Sequence, residues 1–437
     1  MPKIVFPVSR IEGHAQVVIE VHAGRVVSAR FKATEYRGFE HFVKGVAPEQ
    51  MVVIVPRICG VCSTAHHLAS VKALEMAFGV IPPPLALSIR ELLMLGQMIQ
   101  NQATSLFLFT MPDRLGLSSI LEAAGEAGSA EQLSSLAHRA LQVRNAGTKL
   151  IDTAGGQFIH PVKAVIGGVT GGIEEKLAET MHGTLMKTLP MACELFDYYI
   201  EKSVALKEQL GTWGDDTPTH YIAAVSEYRP DYTGDSIRIM GPDGRILATF
   251  PASGYLNHIQ FEESEYSYSE KSSYGGKVFR ANSLARINLA DYMGTPLADR
   301  YLEQFRESFE RPAHAILLFD IARGIELIYA LERAIEILRQ PLDNDETMVG
   351  YRTRDSEGYG LVEAPRGPLI HHYRITNGII SEAKFILPTV HNIIAIEQAL
   401  RNSVERYIDS DRIDMEIERA VGRVVRAFDP CIACATH

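Results

Sequence analysis

The sequence contains only five cysteines, an odd number in 437 residues, and no long uninterrupted apolar run. Two close cysteine pairs and a lone Cys193 do not form the even pattern typical of a disulfide framework. Apolar stretches such as Ile316–Phe319 are interrupted by charge well before membrane-spanning length. The start of the chain lacks a basic segment followed by an apolar core and a cleavage site. These absences predict a soluble, cytoplasmic protein without a secretory signal or a direct membrane span.

An excess of positive charge is also missing. The chain has 43 Lys and Arg against 53 Asp and Glu, which gives a formal net charge of −10. Nucleic acids and anionic membrane surfaces would repel such a surface. We therefore expect no nucleic-acid partner, and a small molecule or another protein instead. The hydrophobic content of 46% is enough for one large core or two ordinary ones.

Apolar periodicity predicts an α+β protein that is predominantly α-helical, with long central helices. Antiparallel β-hairpins are predicted in the N-terminal part, over 16–31, and in the Tyr-, Ser- and Gly-rich region 217–290. Another hairpin is predicted over 373–387. The predicted helices are 63–78, 85–111, one with a capping box at Ser129 and Gln132 that ends near Thr153, 173–210 with a kink at Pro190, 312–338 and 411–428. Gly167–Gly172 lacks the Lys-Ser/Thr ending of a phosphate loop, which favours a tight turn.

The cysteine pairs lie near opposite ends of the chain and predict one interwoven unit, residues 1–437. Folding must bring the N- and C-terminal motifs together if they share a metal. We divide the unit into four subregions: 1–62 with the N-terminal hairpin and the first pair, 63–212 helical, 213–290 β-rich, and 291–437 helical with a hairpin and the second pair.

Both pairs have Cys-x-x-Cys spacing. Cys59 and Cys62 precede His66, and Cys431 and Cys434 precede the terminal His437. Four thiolates form a soft donor set that suits zinc, nickel, copper(I) or an iron–sulfur cluster. Zinc ribbons usually carry their pairs about 15–20 residues apart, because the metal staples a small module. A structural zinc site with four cysteine ligands is therefore an open but less favoured alternative.

Other ionisable groups lie near these pairs in the sequence. Arg10–His14 and Arg37–Glu40 precede the first pair, and Asp429 precedes the second. Arg366 is held between Pro365 and Gly367. Such an arginine pairs with a carboxylate or presents donors to an anionic ligand. His371 and His372 alternate as in a strand, and we interpret both as structural.

Taken together, these motifs resemble the large, catalytic subunit of [NiFe]-hydrogenases, particularly its soluble cytoplasmic members. The resemblance rests on Arg10–His14, Arg37–Glu40, Arg57–His66, Ala364–Gly367 and Asp429–His437. It implies an enzyme that reversibly cleaves H2 heterolytically into protons and electrons.

The resemblance also implies roles for individual residues. Nickel would be bound by Cys59, Cys62, Cys431 and Cys434. Cys62 and Cys434 would also bridge to an iron that carries cyanide and carbon monoxide. Arg366 and Thr389 would contact the cyanides, and Arg366 would reach over the open edge of the two metals.

Further implied roles concern protons and a second metal. Glu12 would exchange a proton with the sulfur of Cys434, and His66 would hydrogen-bond the bridging sulfur of Cys62. Magnesium would be held by Glu40, the carbonyl of Phe385 and His437. Many periplasmic members have a His-Asp-His run where this chain has Gln100–Gln102, which leaves Asp429 and Arg366 as the charged residues above the metals.

Only Cys193 remains outside the two pairs, so this chain cannot house an iron–sulfur relay. Electrons would leave through an iron–sulfur small subunit and further electron-transfer subunits of heterodisulfide reductase-like, deazaflavin-reducing or NAD(P)-reducing type. One alternative function is a regulatory H2 sensor with little turnover. Another is a quinone-module subunit of respiratory complexes, which shares this ancestry but lacks the cysteines.

Overall fold

Helices make up most of the regular structure in the computed structural model, which describes residues 3–120, 130–234, 236–343, 346–408 and 415–436. The helices are α1 (Phe39–Phe42), α2 (Pro48–Ile54), α3 (Ser63–Phe78), α4 (Pro84–Ala103), α5 (Met111–Leu115), α6 (Ala130–Gly155), α7 (Glu175–Leu210), α8 (Tyr255–His258), α9 (Ser283–Leu289), α10 (Pro296–Ser308), α11 (Leu318–Ile337), α12 (Pro388–Glu405), α13 (Met415–Phe428) and α14 (Ile432–Ala435).

The strands are short and form several small, mostly antiparallel sheets. They are β1 (Lys3–Pro7), β2 (Ala15–His22), β3 (Arg25–Ala33), β4 (Ala164–Val165), β5 (Gly168–Val169), β6 (His220–Ser226), β7 (Arg229–Pro230), β8 (Ser236–Met240), β9 (Ile246–Pro251), β10 (Gln260–Glu262), β11 (Lys271–Ser273), β12 (Phe279–Arg280), β13 (Ser356–Ala364), β14 (Gly367–Thr376) and β15 (Ile379–Ile386). The predicted α+β class with predominant helix is confirmed.

The N-terminal hairpin, β2 and β3, forms where it was predicted. Strand β1 adds an edge that was not predicted from the sequence, with Val5 opposite Val18. Val17, Ile19 and Val21 of β2 are fully buried, as the two-residue alternation of a half-buried strand requires. The first sheet therefore has the order β1-β2-β3.

The β-rich region contains β6 to β12. Its main sheet has the order β12-β6-β8-β9, in which β12 pairs with β6 in parallel and β7 pairs with the end of β6. The turn after β8 closes on Gly244, whose φ of +81° suits glycine. A separate small core, which includes Ile222, Ile237 and Phe250, lies against this sheet.

The long predicted helix over 85–111 is interrupted. Helix α4 ends at Ala103, residues 104–110 form a π-helical turn, and α5 follows. Helix α6 crosses α4 closely, because a Cβ atom at Gly147 would lie 2.5 Å from the backbone nitrogen of Gln100. Only glycine permits this approach, which brings the buried Gln100–Gln102 segment into the centre of the protein.

The predicted helix 63–78 coincides with α3, whereas several other helix predictions were right in kind but differ in their bounds. Helix α7 contains Pro190 in its interior, and the kink predicted there stays a prediction. Helix α11 begins at Leu318 rather than at 312. Helix α13 is described from Met415, so residues 411–414 of the prediction lie outside the described residues, as does Ser129 of the predicted capping box. The Gly-rich 167–172 segment contains the tight turn between β4 and β5 and then leads to α7.

The predicted hairpin over 373–387 is part of a three-stranded sheet, β13-β14-β15. Helix α3 packs on this sheet at van der Waals distance. A Cβ atom at Gly360 of β13 would lie 1.9 Å from the Ala69 carbonyl oxygen, and one at Gly358 would lie 2.1 Å from the Ala73 carbonyl oxygen. These two glycines let α3 lie directly on the strands.

Among the helices that the structure describes, none combines the length and the apolar character that crossing a bilayer requires. One large hydrophobic cluster includes side chains from Phe6 through to Cys434. The division of the chain into four subregions of one unit stays a prediction.

Candidate metal centre

The two ends of the chain meet next to the cysteines. Glu12 and Cys431 form a parallel β-bridge, and the Ile432 N–H donates to the Glu12 carbonyl at 3.2 Å. Gly13, with φ +78°, makes this possible, because a Cβ atom there would lie 2.7 Å from the Ile432 Cβ. The Arg10–His14 motif therefore docks directly on the C-terminal Cys-x-x-Cys motif.

Each cysteine pair lies where a loop enters a helix. Cys62 immediately precedes α3, and Cys59 follows the 3-10 turn Val55–Ile58. Cys431 precedes the short helix α14, which contains Cys434. A helix start supplies free N–H groups and a positive dipole end, both of which favour thiolate.

The four sulfurs form one compact cluster. The Sγ–Sγ distances are 2.9 Å for Cys62–Cys434 and Cys431–Cys434, 3.3 Å for Cys59–Cys431 and 4.0 Å for Cys62–Cys431. All four Sγ atoms lie within 4.8 Å of one another and are buried, and none forms a disulfide. Disulfide sulfurs would lie about 2.05 Å apart. The arrangement is that of a metal site with four soft donors.

Thiol acidity differs strongly within the cluster. Burial raises the pKa of Cys431 and Cys434 well above the usual value and also raises that of Cys62. Hydrogen bonds from the neighbouring thiols, led by Cys431, lower the pKa of Cys59. Four thiolates buried together would repel one another, so a bound cation is needed to hold them all deprotonated. This requirement is met by the chemistry of a divalent metal ion.

Arg366 extends over the cluster from the turn between β13 and β14. Its Nε donates to the Asp429 carbonyl at 2.5 Å, and its Nη2 lies 3.2 Å from Asp429 Oδ1. Its Nη1 is buried and has no hydrogen-bond partner among the described residues. Although burial opposes it, the charge of Asp429 raises the pKa of Arg366. A buried guanidinium with a spare donor fits an anionic acceptor at this position.

Asp429 is the residue that links Arg366 to helix α4. The Asn101 side-chain amide donates to Asp429 Oδ2 at 3.3 Å. Asp429 itself has a left-handed φ of +48°, an uncommon conformation for a residue other than glycine. Thr389, in the first turn of α12, accepts the Cys431 N–H at 3.0 Å through its hydroxyl oxygen. Both residues therefore lie beside the C-terminal cysteines, and the expected contact of Thr389 with cyanide stays a prediction.

Glu12 contacts a different cysteine from the one expected. Its Oε2 lies 3.1 Å from Cys431 Sγ and accepts the Ala433 N–H at 3.1 Å. The expected pairing with Cys434 is corrected to Cys431, because the Glu12–Cys431 bridge aligns these two residues. Burial, followed by the charge of Cys59, raises the pKa of Glu12.

His66 likewise faces a different sulfur. Its Nε2 lies 3.4 Å from Cys434 Sγ, and its Nδ1 lies 3.0 Å from His371 Nε2. The expected contact with Cys62 is corrected to Cys434, because the Cys434 sulfur lies within hydrogen-bond reach of the His66 ring. His66 is fully buried.

The residues expected to hold magnesium are described only in part. The Phe385 N–H donates to Glu40 Oε1 at 2.8 Å, and the Arg37 N–H donates to the Thr436 carbonyl at 2.9 Å. These bonds bring Glu40, Phe385 and the end of the tail close together, and Glu40 lines one surface cavity with Ala435 and Thr436. His437 lies outside the described residues, so its part in a magnesium site stays a prediction.

Three successive carbonyls before the C-terminal cysteines are each held by a buried side chain. Arg323 of α11 donates to Ala427, Asn282 donates to Phe428 at 2.7 Å, and Arg366 donates to Asp429. The first two of these contacts were not predicted from the sequence. A signal was present in the first half of α11, where three buried charged residues recur at three-residue spacing among mostly apolar neighbours: Asp320, Arg323 and Glu326.

Asn282 offers a direct test of this arrangement. Its φ of +91° is accessible to glycine, so Asn282→Gly removes the side-chain amide without straining the backbone. The Phe428 carbonyl would lose its partner, which costs about 1–3 kcal/mol. We expect a lower melting temperature by calorimetry and a lower nickel content. Asn377→Gly, at an exposed turn with φ +55°, is the matched control and should melt as the wild type does.

A second buried ion cluster supports the turn that contains Arg366. Arg286 binds the carboxylates of Glu326 and Glu363 and donates to the carbonyls of Ala364 and Pro365 at 3.1 and 2.8 Å. The Gln102 amide donates to Glu326 at 2.7 Å. This cluster therefore connects α4, α9 and α11 with the residues that immediately precede Arg366.

Glu363 makes this cluster sensitive to pH. Burial raises its pKa to about 7, although Arg286 and the Ala224 N–H lower it. Because the folded protein binds the proton more tightly, the contribution to stability is present below pH 4.5 and is lost as pH rises towards 7. The amount is of the order of 3 kcal/mol.

We expect Glu363→Gln to remove this part of the pH dependence of the melting temperature between pH 4.5 and 7. Glu357→Gln is a control on the same strand, since hydrogen bonds from Tyr359 and His372 lower the Glu357 pKa even though burial opposes them. Calorimetry across this pH range measures the melting temperatures of both variants. An unchanged slope in Glu363→Gln would contradict the assignment.

A comparison with known families and structures identifies the chain. A family model described as nickel-dependent hydrogenase matches residues 37–140 and 212–437, and a model described as HoxL-like matches 3–36. A vhu subunit of the F420-non-reducing hydrogenase from Methanocaldococcus jannaschii is 35% identical over 93% of this chain and 99% of its own length. The chain belongs to the nickel-dependent hydrogenase family. It is a catalytic large subunit of the [NiFe] type.

Other relatives of this hydrogenase subunit support the same assignment. The NAD-reducing hydrogenase HoxS subunit beta of Cupriavidus necator is 29% identical over 99% of the chain and 94% of its own length. The crystal structure of an NAD+-reducing [NiFe]-hydrogenase in the H2-reduced state has a TM-score of 0.92 and 27% identity, with both chains fully covered. The expected family is confirmed. The match to a nickel-dependent family also decides against a purely structural zinc site.

Proposed function

We propose that this subunit catalyses the reversible heterolytic cleavage of H2 at a nickel–iron centre held by Cys59, Cys62, Cys431 and Cys434. The observation that carries the proposal is the convergence of four buried sulfurs, within 4.8 Å of one another, beside the Glu12 carboxylate. The bound metals would supply the Lewis-acidic site that polarises H2 and accepts its two electrons.

An iron that carries cyanide and carbon monoxide is supported by the donors facing the cluster. Arg366 has a buried Nη1 without a partner in the described chain. Cyanide is an anionic acceptor that a guanidinium donor would satisfy. Thr389 accepts the Cys431 N–H, so its own hydroxyl proton remains available to donate to a second acceptor.

Glu12 is the proposed proton acceptor of the reaction. Heterolytic cleavage of H2 into a hydride and a proton requires a base within hydrogen-bond reach of the proton. A metal-bound thiolate can hold that proton only temporarily. Glu12 lies 3.1 Å from Cys431 Sγ, which is close enough to take the proton from that sulfur. A raised pKa makes this carboxylate a stronger base than an exposed glutamate.

Arg366 and Asp429 are proposed to shape the side of the centre where H2 enters. Their ion pair is buried, and Asn101 holds the second carboxylate oxygen of Asp429. Because Asn101 is uncharged, the positive charge of the Arg366 guanidinium is cancelled by the negative charge of the Asp429 carboxylate. The pair therefore orients Arg366 without adding net charge above the metals.

Magnesium is proposed near the tail, bound by Glu40, the carbonyl of Phe385 and His437. Carboxylate and carbonyl oxygens are ligands that Mg2+ prefers. The Glu40–Phe385 hydrogen bond supports the proximity of the first two ligands. A magnesium ion there would tie the β15 strand to the end of the chain and so fix the Cys431–Cys434 loop.

An iron–sulfur small subunit is proposed as the electron-accepting partner. The fifth cysteine, Cys193, lies on α7 and is half-buried, so the chain has no cysteines left for a relay cluster. Related proteins carry names such as NAD-reducing hydrogenase and F420-non-reducing hydrogenase. We propose a cytoplasmic complex with heterodisulfide reductase-like, deazaflavin-reducing or NAD(P)-reducing subunits.

The proposal is tested on the complex purified with its partner subunits. Under D2 in ordinary water, we expect HD and H2 to form, and under H2 we expect rapid reduction of a viologen dye. A hydrogen sensor would exchange isotopes but reduce the dye very slowly and would be isolated with a kinase. A complex that contains nickel and forms no HD would contradict the proposed catalysis.

A further inference from the structure

A chain of buried hydrogen-bonding groups leads away from Cys434. It runs from Cys434 Sγ to His66 Nε2 at 3.4 Å, from His66 Nδ1 to His371 Nε2 at 3.0 Å, and from His371 Nδ1 to the Tyr373 hydroxyl at 2.6 Å. The Tyr373 hydroxyl also lies 3.1 Å from Ser70 Oγ. The side chains of His66, His371, Tyr373 and Ser70 are all fully buried.

The periodicity of two elements assembles this chain. His66 and Ser70 are four residues apart on α3 and therefore lie on the same face of the helix. His371 and Tyr373 are two residues apart on β14 and point to the same face of the sheet. Because α3 packs against this sheet at the glycines of β13, the four side chains interleave.

His372, the residue between His371 and Tyr373, does not belong to this series of hydrogen bonds. It points to the opposite face of the sheet, where its Nε2 lies 2.6 Å from Glu357 Oε1. Its ring stacks on Tyr359 with centroids 4.2 Å apart. Adjacent histidines of one strand therefore have different surroundings, although both were predicted to be structural.

The hydrogen-bond chain has a required direction when Cys434 binds metal. A metal-bound thiolate can only accept, so His66 must present Nε2–H to it. A neutral imidazole has one N–H, so His66 Nδ1 then accepts from His371 Nε2–H. His371 Nδ1 in turn accepts from the Tyr373 hydroxyl.

Tyr373 completes this direction. Burial raises its pKa, so the phenol keeps its proton and remains a donor. A hydroxyl donates one hydrogen bond and accepts others, so Tyr373 donates to His371 and accepts from Ser70. Each of these hydrogen bonds thereby joins one donor to one acceptor.

We propose that His371 and Tyr373 are positioning residues that fix the ring orientation and tautomer of His66, and thereby the strength of its hydrogen bond to the Cys434 sulfur. This inference rests on the proposed nickel–iron centre. Outer hydrogen bonds of this kind orient a ligand and tune the electron density at its metal. His371 and Tyr373 would therefore act on the metals without touching them.

Tyr373→Phe is the principal test, because it removes one hydroxyl and keeps the ring. A weaker hydrogen bond leaves more electron density on the Cys434 sulfur and on the iron that it bridges. We expect the infrared carbon monoxide stretch to move to lower wavenumber and the midpoint potential of the metal centre to fall, with nickel still bound. Ser70→Ala should give a smaller shift in the same direction.

His372→Gln is the matched control, because it changes the adjacent histidine on the other face of the sheet. Its carbon monoxide band and potential should equal those of the wild type. Wild-type bands and potential in both Tyr373→Phe and Ser70→Ala would overturn the inference. If Tyr373→Phe fails to retain nickel, Ser70→Ala becomes the test. An unshifted carbon monoxide band in Ser70→Ala would then be enough to overturn the inference. Absence of carbon monoxide bands from the wild-type complex would instead overturn the proposed centre.

Discussion

Glu12→Gln is expected to reduce H2/D2 isotope exchange by a factor of about 10²–10⁴ while nickel and iron stay bound. The amide is similar in size to the carboxylate and can still accept the Ala433 N–H, so the backbone bridge between Glu12 and Cys431 should persist. It cannot accept a proton from the Cys431 sulfur. Mass spectrometry of HD formation, together with metal analysis of the same sample, measures the effect.

Glu35→Gln is the control for this substitution. Glu35 is exposed and forms an ion pair with His14, which lies two residues after Glu12 in the sequence. Glu35 therefore contacts the same segment as Glu12 but not the cysteine cluster. Exchange in Glu35→Gln should equal that of the wild type. Retention of full exchange in Glu12→Gln would show that another group takes the proton.

Cys434→Ser is expected to abolish the normal nickel site. A serine hydroxyl is a harder and less acidic donor than a thiol, and it would leave the soft metal with three sulfurs. The Cys434 sulfur also contacts Cys62, Cys431 and His66, so one substitution disturbs every side of the centre. Nickel measured by mass spectrometry should fall to background, and isotope exchange should be lost.

Cys193→Ser is the matched control for the loss of a cysteine. Its thiol lies on α7, away from the four clustered sulfurs, and is half-buried. Nickel content and exchange should remain at the wild-type level. A Cys434→Ser protein that binds nickel and exchanges isotopes normally would remove Cys434 from the ligand set.

The residue types of the site could be predicted from the sequence, but not all of their contacts. Two Cys-x-x-Cys motifs near opposite ends of the chain were enough to expect that these ends converge, and the family resemblance implied Glu12, Arg366 and Asp429 as site residues. Which cysteine Glu12 faces depends on how Gly13 packs against Ile432, and this contact joins residues from opposite ends of the chain. The family resemblance implied Cys434 as the partner of Glu12, and local spacing carries no information on that packing that could have corrected it to Cys431.

The buried charges were harder to anticipate. Arg286, Glu326 and Glu363 come from three elements that are distant in sequence, and each reads locally as an ordinary charged residue. Their pairing follows only after α9, α11 and β13 are packed together. The regularly spaced charges among the apolar residues in the first half of α11 are the feature that could have indicated this pairing.

The elements of the fold that local sequence patterns determine were predicted, and those that depend on distant partners were not. Periodicity located the long helices and the hairpins β2–β3 and β14–β15, because those patterns are local. Strands β1 and β13 were missed, since each is recognised through its partner strand. The interruption of the helix after Ala103 was also missed, because an apolar run does not distinguish α-helical from π-helical turns.

Metal analysis with nickel-edge X-ray absorption of the intact complex tests the central assignment most directly. The account predicts nickel and iron in equal amounts in this subunit, with nickel surrounded by sulfur and iron as its near metal neighbour. Loss of that sulfur environment in both Cys62→Ser and Cys434→Ser would show that the two ends of the chain share the centre. Zinc alone among the four sulfurs, or nickel bound without sulfur, would contradict it.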